Sequence, residues 1–271
     1  MIKQAIIPLA GLGTRLLPLT SVFAKELLPM NGKPGLEYIL DECIEAGIKE
    51  IIFIISKKKN MIKKYFFNDA FYQKIIKQKK DARIILEYKK ILKYKKMIKF
   101  VYQNKPRGTG DAVLKTEKFI KGKYFLMLFP DDLIVKKNCS KSMISTHKKF
   151  KTSVMACINV KKETVSRWGI YKIKKKLNKN NFLISGVVEK PSLKNAPSNK
   201  AVIGRYILPT NIFKKLKKQR PGNGGEVHIT DAIQSLIDDK ERFTAHKFLG
   251  KYLDCGTMSG YISSSLEISK L

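Results

Sequence analysis

Six consecutive residues with almost no polarity, Ala5 to Ala10, run directly into the turn Gly11-Leu12-Gly13-Thr14-Arg15. A strand that is apolar throughout, with no alternation, is covered on both faces, and such strands belong to parallel sheets flanked by helices. Pro8 has no N–H to donate and is expected near the strand's end. An α/β fold is therefore predicted, with its first loop leaving the carboxyl end of a buried strand.

The next segments extend this pattern. Leu36, Ile39, Leu40, Cys43 and Ile44 recur at helical spacing between Pro34-Gly35 and Gly47, and Ile51 to Ile55 reads as a second buried strand. Strand, helix and strand in succession make a βαβ unit with a right-handed crossover. Ser56 to Asn60 reads as a polar turn, and the lysine-rich stretch up to residue 97 as one or two surface helices. Ile98 to Tyr102 is predicted as a strand, followed by the loop Gln103 to Asp111 and a helix over Ala112 to Phe119. Phe125 to Phe129 is a further buried strand that stops at Pro130-Asp131-Asp132. Strands are also predicted at Ser153 to Asn159, at Ile170 to Ile173 with Ile184 to Glu189 as a hairpin, at Val202 to Leu208 and at Phe243 to Phe248. Helices are expected near Asn211 to Leu216 and Thr230 to Asp239. No internal repeat or Pro/Ser-rich linker divides the chain, so residues 1–271 are read as one domain.

Charge narrows the partners. Lys and Arg number 55 against 22 Asp and Glu, a formal charge of +33. Such a balance raises nucleic acid, membranes and acidic ligands as partners. The lysines, however, lie in short scattered runs, such as Lys57 to Lys59 and Lys174 to Lys176, interleaved with Ile and Asn. They are read as solvated surface, which argues against nucleic acid and membrane partners. Cys43, Cys139, Cys157 and Cys255 have no paired spacing that would suggest a zinc site or a disulfide framework. No apolar run approaches ~20 residues, and the N-terminus enters the first strand without a charged leader, so a cytoplasmic protein is expected. His147, His228 and His246 are far apart and form neither H-E-x-x-H nor a triad pattern, so all three are read as surface or packing residues.

The first loop has the chemistry of an anion site. Glycines let main chain approach a ligand, successive N–H groups can face phosphate oxygens, Arg15 adds a bidentate fork and Lys25 a point charge. The pattern is not a Walker loop, because no Gly-Lys-Ser/Thr follows. Nor is it the dinucleotide fingerprint, because Leu16 stands at the third glycine's position.

In its extended form, G-L-G-T-R-L-L-P-L-T followed by K-E-L-L-P, the stretch resembles the sugar-1-phosphate nucleotidylyltransferases, and among them the bacterial UTP:glucose-1-phosphate uridylyltransferases. Further motifs recur in that family's order: Gln103 to Val113, Pro130-Asp131, V-V-E-K-P at Val187 to Pro191, A-P-S-N-x-A-V-I-G-R-Y at Ala196 to Tyr206, Thr230 to Ile233 and Asp254 to Gly256. The resemblance implies a Rossmann-like three-layer fold around a mostly parallel, mixed central sheet. It also implies a nucleotide site made of Ala10, Gly11, Leu12, Gly13, Thr14, Arg15, Lys25 and Glu26, with Gln103 and Gly108 holding the uracil. Glu189 and Lys190 match the pair that holds the sugar hydroxyls and the sugar phosphate, and Gly169, Gly204 and Glu226 complete the sugar side. Asp131 matches a Mg²⁺ ligand, with Asp254 as the second, and Arg15, Lys25 and Lys190 are the catalytic cations.

The reaction so implied is attack by glucose 1-phosphate on the α-phosphorus of UTP, giving UDP-glucose and pyrophosphate, in a homo-oligomer (dimer or tetramer). The alternatives are the same fold acting on another pair, such as dTTP or galactose 1-phosphate, or an inactive basic binding protein. Three positions depart from the family: Asp111 stands where histidine is usual, Thr109 where leucine is, and Gly225 where an acidic residue is.

Overall fold

The computed structural model describes residues 2–222 and 225–271. In chain order the strands are β1 Gln4–Pro8, β2 Pro29–Met30, β3 Lys33–Pro34, β4 Glu50–Ile55, β5 Ile98–Tyr102, β6 Tyr124–Leu128, β7 Asp132–Val135, β8 Ser153–Asn159, β9 Gly169–Lys176, β10 Asn181–Glu189, β11 Lys200–Pro209, β12 Phe243–Lys247 and β13 Lys251–Asp254. The α-helices are α1 Gly35–Glu45, α2 Asn60–Phe67, α3 Asp69–Lys79, α4 Ala82–Lys95, α5 Thr109–Leu114, α6 Cys139–Phe150, α7 Ile212–Lys218, α8 Ile229–Asp238 and α9 Met258–Ile268.

One nine-stranded sheet runs β5-β4-β1-β6-β11-β8-β12-β10-β9. It is parallel from β5 to β6 and between β8 and β12, and antiparallel where β11 joins β6 and β8 and where β10 joins β12 and β9. The parallel half carries helices on both faces, and the period-two pleat assigns each side chain to one of them. Ala5 and Ile7 of β1 and Ile51, Phe53 and Ile55 of β4 meet α1, α2, α4 and α6, whereas Ile6, Ile52 and Ile54 meet α5, α7 and α8. Leu36, Ile39, Leu40 and Cys43 of α1 are fully buried in the first of these cores. Each apolar side chain of this size contributes roughly 1.5–3 kcal/mol on burial, which holds α1 against the sheet.

Several sequence expectations shift. The helix expected over Ala112 to Phe119 begins earlier, at Thr109, and ends at Leu114, leaving a separate 3-10 turn at Glu117–Phe119. The lysine-rich segment holds three helices rather than one or two, and the strand β7, helix α6 and strand β13 were not expected at all. In α6 the apolar signal is thin, with Cys139, Met143 and Ile144 among serines and lysines. The helix starts because the Asn138 side chain accepts from Lys141 N at 2.8 Å, a side-chain N-cap.

Candidate active site

Ligands of open α/β sheets sit in the crevice beyond the carboxyl ends of the strands, and here each of the four adjacent parallel strands delivers a polar group to that edge. Beyond β1 comes the loop Ala10 to Arg15, beyond β4 comes Lys59, beyond β5 Gln103, and beyond β6 Asp131. Two cavities open there. One, of about 380 Å³, is lined by Ala10, Gly11, Leu12, Gly13, Thr14, Lys25, Glu26, Gln103, Gly108, Asp131 and Glu226, among others. The second, of about 410 Å³, is lined by Arg15, Asp131, Asp132, Trp168, Gly169, Glu189, Gly204, Tyr252 and Asp254, among others. Asp131 and Phe129 line both.

The first loop keeps its donors open. Among the described residues, the main-chain N–H groups of Gly11, Leu12, Gly13 and Thr14 have no acceptor, while Leu16 N closes a turn onto Gly13 O at 2.9 Å. Thr20 Oγ1 donates to Gly13 O at 2.8 Å and braces the turn from behind. Unpaired N–H groups facing a cavity are what an anion requires.

Lys25 Nζ lies 2.8 Å from Asp131 Oδ2, and Arg15 reaches the same oxygen at 3.5 Å. Burial alone would lower the Lys25 pKa, but the charges of Asp131 and Glu26 outweigh it and raise it. Burial would raise the Asp131 pKa, yet Lys25 and Arg15 hold it below the ordinary value. Arg15 is largely exposed and lines the second cavity rather than the first, so it stands at the junction between them.

Lys59 was read with its neighbours as solvated surface, and the structure corrects this. Its side chain is buried, and Nζ donates to both carboxylate oxygens of Glu26, at 2.7 and 2.9 Å. Burial lowers the Lys59 pKa and Glu26 partly restores it. Lys59 closes the 3-10 turn Lys57–Lys59 that leads into α2, so one of three consecutive lysines points inward. A run of identical residues gives no sign of which member does so.

The neighbouring carboxylates Asp131 and Asp132 separate by environment. Asp131 faces the cations, whereas Asp132 spends both oxygens on scaffold, Oδ1 accepting from Tyr252 Oη at 2.7 Å and Oδ2 from Gly204 N at 2.7 Å. Burial and the charge of Asp131 push Asp132 up to about 6. The β7/β13 ladder sets Asp254 opposite Asp132, and Cys255 N donates to Asp131 O at 2.8 Å. Asp254 Oδ1 and Asp131 Oδ2 come within 3.1 and 3.2 Å of the point a side chain on Gly256 would occupy. The Arg15 guanidinium comes within 3.1 Å of the same point; two carboxylates converging there, one from the β6–β7 turn and one from β13, fit a hard divalent cation that takes few protein oxygens once the guanidinium swings aside. Among the described residues no group of three or more His, Cys, Asp or Glu forms a complete metal cage.

At the second cavity Gly204 is required by close approach, since a methyl group there would lie 2.4 Å from Asp132 Oδ2 and 2.6 Å from Phe129 Cβ. The Glu189 carboxylate leans on Gly169, and Trp168 packs edge-on against Tyr252 at 5.9 Å between centroids. Next to Gly204, the fully buried Arg205 pairs with Glu42 through Nε and Nη2 and donates Nη1 to Phe129 O at 3.1 Å, pinning the segment before Asp131.

Of the residues expected on the sugar side, Glu226 and Lys190 do not line the second cavity. Glu226 lines the first cavity, because its segment is stitched to the Gln103 loop: Val227 N donates to Arg107 O at 2.9 Å and Gly110 N to Val227 O at 2.7 Å. Lys190 is exposed and lines neither cavity; it has φ +44°, and its N–H donates to Trp168 O at 3.0 Å.

The departures from the family pattern have local explanations. Thr109 Oγ1 accepts from Ile229 N at 3.2 Å at the start of α8, a bond leucine lacks. Gly225 has φ +72°, where an acidic side chain would be strained. Asp111 accepts from Gln103 Nε2 at 2.7 Å. Two of the three histidines make packing contacts: His147 Nδ1 donates to Thr152 O, and His246 is buried among Ser142, Thr146 and Asn181.

A parallel sheet edge with an open anion loop, a lysine–aspartate pair and two joined cavities defines a phosphate-transfer site, and residues 4–270 match the nucleotidyl transferase family. The chain belongs to that family. It is 37% identical over 273 residues to a UTP–glucose-1-phosphate uridylyltransferase 2 of Streptococcus pyogenes serotype M3, covering 98% of this chain and 90% of the relative. Among solved structures it resembles a UDP-glucose pyrophosphorylase complexed with UDP-glucose, at 34% identity and TM-score 0.86 over 100% of this chain and 99% of the other. It also resembles a UTP-bound UGPase from Acinetobacter baumannii, at 32% identity and TM-score 0.90 over 98% and 93% of the two chains.

Proposed function

We infer that this chain transfers the uridylyl group of UTP to glucose 1-phosphate, giving UDP-glucose and pyrophosphate. The observation that carries this is the sharing of Asp131 by two cavities, one with the open N–H donors of Gly11 to Thr14 and one walled by Glu189, Gly169 and Gly204. A triphosphate in the first and a sugar phosphate in the second would meet at Asp131, Lys25 and Arg15. One sheet supplying both cavities supports reading residues 1–271 as a single domain.

The reaction forms a bond from a phosphate oxygen of glucose 1-phosphate to the α-phosphorus of UTP and breaks the α–β bridge, whose electron pair leaves with pyrophosphate. The nucleophile is already an anion near neutral pH, so no general base is needed. The protein's task is to align two anions that repel each other and to neutralise charge as the bridge breaks. Lys25, kept protonated by Asp131 and Glu26, is placed for the triphosphate, and Arg15 spans the junction. Lys190 would approach the sugar phosphate from the rim, and Glu189 would accept from sugar hydroxyls. Asp131 and Asp254 would hold Mg²⁺, which when bound supplies further charge neutralisation on the phosphates.

The test is pyrophosphate release from a panel of nucleoside triphosphates and sugar 1-phosphates with Mg²⁺. UTP with glucose 1-phosphate should be the preferred pair. Turnover with dTTP or galactose 1-phosphate, and none with UTP plus glucose 1-phosphate, would displace this reading.

A further inference from the structure

Gln103 is 5% exposed at the end of β5 and lines the nucleotide cavity. Its Nε2 donates to Asp111 Oδ2 at 2.7 Å and to Gly108 O at 3.1 Å. A carboxylate and a carbonyl oxygen can only accept, so the amide cannot be turned round without setting its oxygen against two acceptors. Both N–H groups are thereby used. Among the described residues nothing donates to Gln103 Oε1, and that oxygen is not sealed from solvent. The cavity therefore meets Gln103 as a fixed acceptor. Asp111 is itself held, with Lys115 Nζ 3.7 Å from its other oxygen.

A fixed acceptor distinguishes pyrimidines by one hydrogen. Uracil and thymine carry N3–H on their Watson–Crick edge, whereas cytosine presents a bare N3 lone pair. A free amide could serve either base by rotating. Held by Asp111, it offers only an acceptor, which pairs with N3–H of uracil or thymine and is set against the N3 lone pair of a cytosine in the same pose, so that cytosine could reach it only by shifting to present its 4-amino group. A histidine at position 111 would act as donor or acceptor according to its tautomer and would leave this choice less firmly set.

We propose that Asp111 is a specificity-determining positioning residue, which selects a base bearing N3–H over cytosine by locking the Gln103 amide with Oε1 turned to the cavity. The proposal rests on the reading of this cavity as the uridine site. It adds a residue that does not itself touch the base, and it predicts what the device cannot do: uracil and thymine share N3–H, so Asp111 gives no discrimination between UTP and dTTP.

The experiment compares kcat/KM for UTP, dTTP and CTP, with CTP inhibition constants where turnover is too slow, in the unaltered chain and in Asp111→Ala, Asp111→Leu, Asp111→Asn and Gln103→Leu. Asp111→Ala should lower the UTP/CTP preference by roughly tenfold or more, the scale of one buried polar mismatch. The UTP/dTTP ratio and the KM for glucose 1-phosphate should hold within about twofold, a pattern that general loosening of the loop would not produce. Asp111→Asn, whose carbonyl oxygen also accepts from Gln103, should retain most of the preference. Asp111→Leu repeats the measurement should the alanine variant not fold. A UTP/CTP ratio unchanged by Asp111→Ala or Asp111→Leu but collapsed by Gln103→Leu overturns the role of Asp111 while leaving the uridine site in place. A ratio unchanged in Gln103→Leu as well overturns both.

Discussion

Replacing Lys59 with methionine removes one charge of the Glu26–Lys59 pair and leaves a carboxylate 3% exposed beside the cavity lined by Gly11 to Thr14. Breaking a buried pair by deleting one partner costs about 3–5 kcal/mol, because the other charge stays in a poorly solvated place. Lys25, which feels the Glu26 charge, offers partial compensation, so the loss is expected near the lower end, about 3 kcal/mol. For a chain of this size that corresponds to a fall in Tm of roughly 6–9 °C. The assay is urea and thermal unfolding of Lys59→Met, Glu26→Gln and the double variant. Because the cost lies in the orphaned charge, Glu26→Gln should restore much of what Lys59→Met removes, with a coupling energy of about 2 kcal/mol. A single-variant loss under about 1 kcal/mol, with additive effects in the double variant, would refute the reasoning and return Lys59 to the solvated surface.

Lys25→Ala and Asp131→Ala should each lower turnover by roughly a hundredfold or more, on the scale of a lost charged partner at a desolvated reaction centre; near-normal kcat in both would remove them from the chemistry. Gly204→Ala should destabilise by about 1–3 kcal/mol, since its methyl group overlaps Asp132 and Phe129, and should raise the KM for glucose 1-phosphate; a native Tm with unchanged KM would contradict the close approach. His246 supplies a pH test: burial lowers its pKa from 6.5 to about 4. Between those values the unfolded chain binds more protons, so this contribution is complete above pH 6.5 and is lost as pH falls toward 4, by roughly 3 kcal/mol. His246→Gln should flatten that part of the stability profile, measured by urea midpoints from pH 7 to 4. An unchanged slope would show that His246 does not titrate as described.

How far the fold could be read from the chain depended on the kind of pattern each element carries. The core strands β1, β4, β6 and β8 and helix α1 were legible because burial on both faces, or on one stripe, leaves an apolar run or a 3.6-residue period in the sequence. The short ladder of β7 and β13 carries no such pattern, since its strands lie apart in sequence and its register depends on their meeting in space. Helix α6, rich in serine and lysine, is held by a cap and by a few apolar contacts that are weak as sequence signals.

The same division runs through the site. Residue chemistry marks the anion loop and Lys25 in the sequence, and the family resemblance adds Gln103 and Asp131; the structure places each of them at the carboxyl end of a strand or in its loop. Which of Asp131 and Asp132 faces the cations was decided by tertiary contacts, as Tyr252 and Gly204 claim both oxygens of the second. Glu226 lines the same cavity as Gln103 because its segment bonds to the Gln103 loop, and Lys59 turned inward because Glu26 was there to receive it. Local sequence determines which groups stand at a strand's end. Partners brought from distant segments determine which group is neutralised, which is held in one orientation, and which remains open to a ligand.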